Sequence, residues 1–319
     1  MTGGRATAGA TVIALFGPTG VGKTEVALAL ADRLRADGED PVAVSADALQ
    51  VYEGLETLTG AATAAERARL EHRLIGFLPV DQTFSAGAFA RRAHAEIDEL
   101  LRTGRRPIVV GGTGLYLRAA LAELDLRPPP DPATRERWNA ELERRGAPGL
   151  HALLAERDPE AAAAVAPSDA QRIVRTLELL DAGRQPPPAP GAPSRLWTED
   201  TRHPTLLAGL IMERAALYAG IDARVEAMVQ AGAPDEVRAA AAAGVSATAR
   251  KALGFEELLA GDVEAMKRNT RRYAKRQLTW MRKLPGVLEV DAADREAAAA
   301  AVYAALRERE RDRGRGEGA

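Results

Sequence analysis

The sequence predicts an α/β protein: a parallel β-sheet covered on both faces by helices and interrupted by a helical insertion. Three observations predict it. Short apolar runs rich in Val and Ile alternate with stretches whose apolar residues recur every three or four positions, as in strands joined by crossover helices. A glycine-rich loop joins the first apolar run to the first helical stretch. From 124 to 200 the strands stop, and two proline-rich breaks, at 127–132 and 184–193, bracket helical periodicity alone.

The elements follow in order. Residues 11–17 (TVIALFG) predict a buried strand, and 24–35 a helix with Ala27, Leu30, Ala31 and Leu34 on one face. Residues 41–47 (PVAVSAD) predict a second strand ending in an acid. Residues 87–102 predict a helix, carried by Phe89, Ala93, Ile97 and Leu101. Residues 106–112 (RPIVVGG) predict a third strand that ends in glycines, and 133–181 are helical. Residues 206–212 resume a strand, and Ile221, Val225 and Met228 mark another helix. Residues 250–284 form a basic helical stretch and 287–291 a last strand; 307–319, charged and glycine-rich, read as a solvated tail. The expected organisation is a core at 10–123, a helical insertion at 124–200, a second core part at 201–300 and a charged tail at 301–319.

Composition narrows the function. The 319 residues are 46% apolar and 28% charged, which excludes a disordered chain and a fibre. Cysteine is absent, so disulfides, thiol catalysis and zinc ribbons are excluded, and four histidines give little material for a histidine-rich metal site. No apolar run of about 18 residues exists to span a membrane. Residues 1–10 lack the apolar core of a signal peptide, so a cytoplasmic protein is expected. The net charge of −2 gives no overall nucleic-acid signal, but its distribution does. Only five of 43 basic residues are lysines: Lys23 in the glycine loop, and Lys251, Lys267, Lys275 and Lys283 close together near the C-terminal end.

Gly17-Pro18-Thr19-Gly20-Val21-Gly22-Lys23-Thr24 matches G-x-x-x-x-G-K-[ST], with a strand before it and a helix after. The glycines let successive N–H groups turn toward phosphate oxygens, and the helix N-terminus adds partial positive charge. Lys23 supplies a point charge and Thr24 a hydroxyl for Mg²⁺. The loop indicates a polyphosphate or pyrophosphate without choosing between them. Together with the strand pattern, it makes the fold class P-loop NTPase-like, a parallel-sheet core with a helical insertion domain.

Asp47 ends the second strand and should stand beside this loop, because ligands bind at the carboxyl ends of parallel strands. It suits a magnesium acid, a general base or a helix N-cap. Gly111-Gly112-Thr113-Gly114 after the third strand permits close backbone approach and offers the Thr113 hydroxyl, or is simply a tight turn. ATP-hydrolysing relatives of the phosphate loop carry an acid at such a strand end; here there is none, which weakens that reading. Residues 267–283 hold eight basic residues and no acid. Such a run is a solvated face or a site for a polyanion, and like charges without compensation favour the polyanion. Arg172 and Arg175, three apart on one helix, and Arg250-Lys251 extend the same signal.

Taken together these segments resemble the bacterial tRNA dimethylallyltransferases, of the tRNA isopentenyltransferase family, from about residue 12 to 290. The resemblance rests on Gly17–Thr24; on Asp47, Gln50, Tyr52 and Gly54; on Gly111–Tyr116; on Gln171–Glu178; on 250–256; and on Thr270-Arg271-Arg272-Tyr273-Ala274-Lys275-Arg276-Gln277 with Thr279-Trp280. Departures are Ala48 where the family commonly has Ser, Leu55–Thr59 in place of Met-Asp-Ile-Gly-Thr, and Phe255 in place of Tyr. The resemblance implies transfer of a dimethylallyl group from dimethylallyl diphosphate to N6 of the adenosine just 3′ of a tRNA anticodon, with release of diphosphate. It implies Asp47 as the base, with Thr113, Lys23 and Arg276 in the catalytic set and Gly17–Thr24 around the diphosphate. Mg²⁺ is expected at Thr24. It implies tRNA contacts at Asp47, Ala48, Leu49 and Gln50; at Thr113 and Arg135; at Gln171, Arg172, Ile173, Val174 and Arg175; and at Arg250, Lys251, Ala252, Leu253, Gly254 and Phe255. A monomer with no membrane association is expected. The competing readings are a nucleotide-kinase type phosphotransferase, an enzyme that prenylates free AMP, and an RNA-binding module with a vestigial loop.

Overall fold

A computed structural model describes residues 10–127, 131–186 and 195–316. Residues 1–9, 128–130, 187–194 and 317–319 lie outside these, and with them part of each proline break and the last three residues of the expected tail. The chain forms two compact units: Met1–Asp125 with Arg195–Ala319, and Leu126–Ser194.

The first unit is built on a six-stranded sheet: β1 (Val12–Phe16), β2 (Pro41–Ser45), β3 (His72–Arg73), β4 (Arg106–Gly111), β5 (Thr205–Ile211) and β6 (Leu288–Asp291). Their order is β3-β2-β4-β1-β5-β6, and every pairing is parallel. β1 and β2 are buried along their whole length. They therefore read as continuous apolar runs, without the alternation of a half-exposed strand. β3 has only two residues and was invisible to periodicity for that reason. The phosphate-loop strand β1 is central, between β4 and β5. Its helix, Lys23–Ala36, buries Ala27, Leu30, Ala31 and Leu34 against the sheet, as the spacing predicts. Helix Ala86–Arg102 starts at Ser85, whose Oγ accepts the Ala88 N–H.

The C-terminal segment departs from expectation. Residues 301–319 read as a charged tail, yet Arg295–Gly316 is a helix. Ala298, Ala299, Val302 and Leu306 join the same core cluster as the phosphate-loop helix. Its charges are paired through tertiary contacts that local sequence cannot display. Arg307 donates to Asp37 and Glu39, and Arg106, itself buried, pairs with Glu39 and Glu310.

The second unit is helical, with no strand among its described residues. Pro132–Arg157 is broken by Gly146 at φ 68°, a left-handed conformation that glycine adopts without strain. Pro159–Ala163 and Ala170–Asp181 complete it. Trp138, Leu150, Leu154, Ile173, Val174 and Leu177 form its core. Among the described residues of the whole chain, no helix is long and apolar enough to cross a membrane.

Candidate active site

Strand register sets the site. Phe16 lies beside Gly111, so the phosphate loop and the glycine turn after β4 leave the sheet side by side. Both starts need glycine. A Cβ on Gly17 would stand 2.9 Å from the Leu210 carbonyl, and one on Gly112 would stand 3.2 Å from the Gly17 carbonyl. Lys23 folds back over the loop, its Nζ donating to the Gly17 and Pro18 carbonyls at 3.0 and 2.9 Å. Burial, and then the charge of Arg224, push its pKa down to about 8. Thr24 follows it, half-buried, in the first turn of the helix.

Asp47 comes two residues after β2. Its Oδ1 accepts the Leu49 N–H at 2.9 Å, which closes a short turn on the side chain; the helix N-cap alternative is not what the fold uses. The charge of Asp47 is felt by Lys23, by Arg224 and by the phenols of Tyr116 and Tyr273. Gln50 braces the segment that follows: Ser45 Oγ donates to its Oε1 at 2.8 Å, and its Nε2 donates to the Gly60 carbonyl at 3.2 Å. Ala48 and Leu49 are half-buried.

Thr113 precedes helix Gly114–Leu121 without capping it. Its Oγ1 lies 3.1 Å from the Tyr273 hydroxyl instead. Burial first, then the negative Asp47, push the Tyr273 phenol up to about 12, so it stays protonated and can donate. Tyr273 belongs to the basic helix Val263–Met281. One turn on, Gln277 accepts the Thr19 N–H at 2.8 Å and donates to the Gly112 carbonyl at 2.7 Å. Arg276 is exposed, its guanidinium 5.4 Å from the centre of the Tyr273 ring.

Two participants escaped the sequence reading. Gln277 belongs to a quoted motif, and its position four residues after Tyr273 was the available signal. Arg224 had none: it lies on helix Arg214–Gln230, more than a hundred residues beyond Thr113 in sequence. It is half-buried, and its charge acts on Lys23. It donates to a carbonyl, Gly60 O, at 3.4 Å. Burial holds its pKa below the usual arginine value, while Glu25, Asp47 and Glu66 oppose that through space.

The remaining sequence candidates fall in two groups. In the helical unit, Arg135 and Arg175 both donate to Glu178, whose carboxylate is wholly buried. Gln171 and Arg172 are exposed, whereas Ile173 and Val174 point into the unit's core. In the first unit, Arg250 pairs with Glu256, Lys251 is exposed, Leu253 is half-buried and Gly254 is buried. Ala252 and Phe255 share a core cluster with Val51 and Tyr52, so 250–255 packs against the segment after Asp47. The basic helix is less uncompensated than its sequence reads. Lys267 pairs with Glu226 and Glu264, and Arg271 with Asp222, acids that the fold brings from helix Arg214–Gln230 and from the first turn.

Comparison with known proteins identifies the family. The family model described as IPP transferase matches residues 50–284. The tRNA dimethylallyltransferase of Thermobifida fusca is 42% identical over 299 residues, covering 89% of this chain and 91% of its own. That of Anaeromyxobacter dehalogenans is 42% identical over 287 residues, covering 87% and 93%. The full-length tRNA isopentenylpyrophosphate transferase of Bacillus halodurans superposes with TM-score 0.69 at 31% identity, covering 97% of this chain and 99% of its own. A eukaryotic dimethylallyltransferase captured acting on tRNA superposes with TM-score 0.70 at 25% identity, covering 89% and 74%. A phosphate loop, an acid after β2 and a threonine turn after β4, set in a sequence with these relatives, place the chain in the IPP transferase family, among the tRNA dimethylallyltransferases.

Proposed function

We propose that the protein transfers a dimethylallyl group from dimethylallyl diphosphate to N6 of the adenosine 3′ of the anticodon in tRNA, releasing diphosphate. One observation carries the reading. Asp47 and the Thr113–Tyr273 pair stand beside the phosphate loop, where the loop's Lys23 and the Arg224 that acts on it have lowered pKa values and, among the described residues, donate to carbonyls. That is a cationic slot for a leaving group with an acid and a hydroxyl pair at its mouth.

The N6 amino group is a weak nucleophile because its lone pair is delocalised into the ring. As N6 attacks the allylic carbon, the carbon–oxygen bond to diphosphate breaks, and Asp47 takes the N6 proton. Tyr273 keeps the Thr113 hydroxyl oriented toward that side of the site. Diphosphate gains charge as it leaves, and the loop N–H groups, Lys23 and Arg224 stabilise it more than they stabilise the substrate. Arg276 extends this field from the exposed side. The Thr24 hydroxyl is a neutral oxygen at the start of the loop helix, which fits Mg²⁺, an ion that takes few protein oxygens and completes its shell with phosphate and water. Bound there, Mg²⁺ would offset diphosphate charge.

Chemistry on a base requires that base to leave its stack, and single-stranded loops are where this costs least. Arg135, Arg172 and Arg175 supply positive charge for tRNA on the helical unit, and Arg250 and Lys251 supply it separately on the first unit. The protein would act as a cytoplasmic monomer.

The test is transfer of radiolabelled dimethylallyl diphosphate, with Mg²⁺ and without ATP, to unmodified tRNA carrying adenosine 3′ of the anticodon, with AMP as parallel acceptor. Label in tRNA alone is expected. Label in AMP would move the function to free-nucleotide prenylation, and no label with ATP consumption would restore the kinase reading.

A further inference from the structure

The hydrogen-bond ladder between β1 and β4 ends at Phe16 and Gly111. Beyond Gly17 and Gly112, which still touch, the backbone runs on into the phosphate loop on one side and the threonine turn on the other. These two loops must face each other at one distance if the nucleophile and the electrophile are to meet.

What rejoins them is a side chain. Gln277 is 5% exposed, and its amide spans the gap: Oε1 accepts from Thr19 N–H at 2.8 Å, and Nε2 donates to Gly112 O at 2.7 Å. The polarity is fixed at both ends, since Thr19 offers a donor and Gly112 an acceptor, so the amide cannot flip. The fit leaves no slack, because a Cβ on Gly112 would stand 2.3 Å from Nε2. The same helix face meets the turn twice more. Tyr273 lies four residues before, with its hydroxyl 3.1 Å from Thr113 Oγ1. Trp280 lies three residues after, its ring where a Cβ on Gly114 would approach to 2.1 Å. Side chains at this spacing share one helix face. The helix therefore grips Gly112, Thr113 and Gly114 in succession, and only its middle contact also reaches the phosphate loop.

We propose that Gln277 is a positioning residue: its amide holds the phosphate loop and the Thr113 turn at the separation the transfer requires. This rests on the assignment, proposed above, of the loop to diphosphate and of Thr113 to the adenosine side. The amide bonds to backbone at both ends and acts through Thr19 and Thr113.

The experiment compares wild type, Gln277→Met, Thr113→Ala and the double variant in single-turnover transfer to tRNA, with both substrates saturating and each protein held below its melting midpoint. Met keeps the length and removes both hydrogen bonds. The transfer rate should fall about 10- to 100-fold, the cost of a small misplacement of reacting groups. Binding of inorganic pyrophosphate and of tRNA, measured separately, should each stay within ~3-fold, because uniform binding is not what is lost. With Thr113 already truncated, Gln277→Met should cost less than ~3-fold, since residues acting as one unit are not additive. Gln277→Glu supplies a second readout. A protonated carboxyl reproduces both hydrogen bonds and an ionised one cannot donate to Gly112, so the ratio of variant to wild-type rate should rise as pH falls. A purely structural role moves melting temperature and none of these. A Gln277→Met rate within ~3-fold of wild type, effects that multiply with Thr113→Ala, or a pH-independent ratio for Gln277→Glu would overturn the inference. Absence of transfer by the unaltered protein would overturn the functional reading instead.

Discussion

Arg224→Gln separates the cost of the diphosphate slot from its use. Gln removes the charge and, two bonds shorter, also gives up the contact with the Gly60 carbonyl, to which the Arg224 terminal nitrogen donates at 3.4 Å. It removes a half-buried cation whose charge helps to lower the Lys23 pKa to about 8. Two effects of opposite sign follow. In the free protein, a cation disfavoured by burial and bonded to a carbonyl is lost, so stability should rise by about 1 kcal/mol, or roughly 2–4 °C in melting temperature. With diphosphate present, a charge-assisted contact worth about 1.5–3 kcal/mol is lost. That corresponds to about 10- to 150-fold weaker pyrophosphate binding at 1.36 kcal/mol per decade. The rate of transfer should fall by at least as much, because the charge on the leaving group grows toward the transition state. Titration calorimetry with inorganic pyrophosphate, a melting curve and single-turnover transfer read all three. Unchanged pyrophosphate affinity together with a lower melting temperature would mean that Arg224 is a packing residue, and the slot would have to be redrawn around Lys23 alone.

Four further outcomes are expected. The Lys23 pKa of about 8 in the free protein should rise when an anion binds, so pyrophosphate affinity is complete below about pH 8 and declines as pH rises through it. Calorimetry in buffers of different ionisation heat should detect proton uptake on binding above pH 8, and pH-independent binding between 7 and 9.5 would contradict this. Asp47→Asn keeps the Oδ1 acceptor for Leu49 N–H, so tRNA affinity should persist while transfer falls by ~100-fold or more; a near-normal rate would remove Asp47 as the base. Arg175→Ala should weaken tRNA binding and reduce its salt slope by about one, and an unaltered slope would show that this arginine makes no phosphate contact. Deleting 307–319 takes Arg307 and Glu310 from Asp37, Glu39 and Arg106, and should cost about 1–3 kcal/mol of stability with transfer intact below melting. An unshifted melting curve would mean that this charge network contributes nothing.

The legible parts of this protein are those whose physics is local. The phosphate loop is eight consecutive residues with a strand before and a helix after, and the structure places Lys23 and the left-handed Gly20 and Gly22 as that motif requires. β1, β2, β4 and β5 announced themselves because each is a fully or largely buried apolar run. β3 did not, since two residues have no period. The terminal helix did not either: its exposed half is dense in charge, and Asp37 and Glu39, which pair with its Arg307, and Arg106, which pairs with its Glu310, lie more than two hundred residues earlier.

By itself the sequence determined the fold class and the family, and it named a phosphate-loop motif with an acid and a hydroxyl as its candidate neighbours. Each of these follows from residue types at short spacing or from motifs in a given order. Only the tertiary structure decided which side chains meet there. Arg224 acts through space on Lys23 from a helix that follows the insertion, and Gln277 bonds both loops from a helix whose sequence reads as a solvated face or a site for a polyanion. The reason is physical: parallel strand order brings the ends of β1, β2 and β4 together, and whichever helix packs across those ends contributes its buried face, which no local pattern of charge or hydrophobicity names in advance.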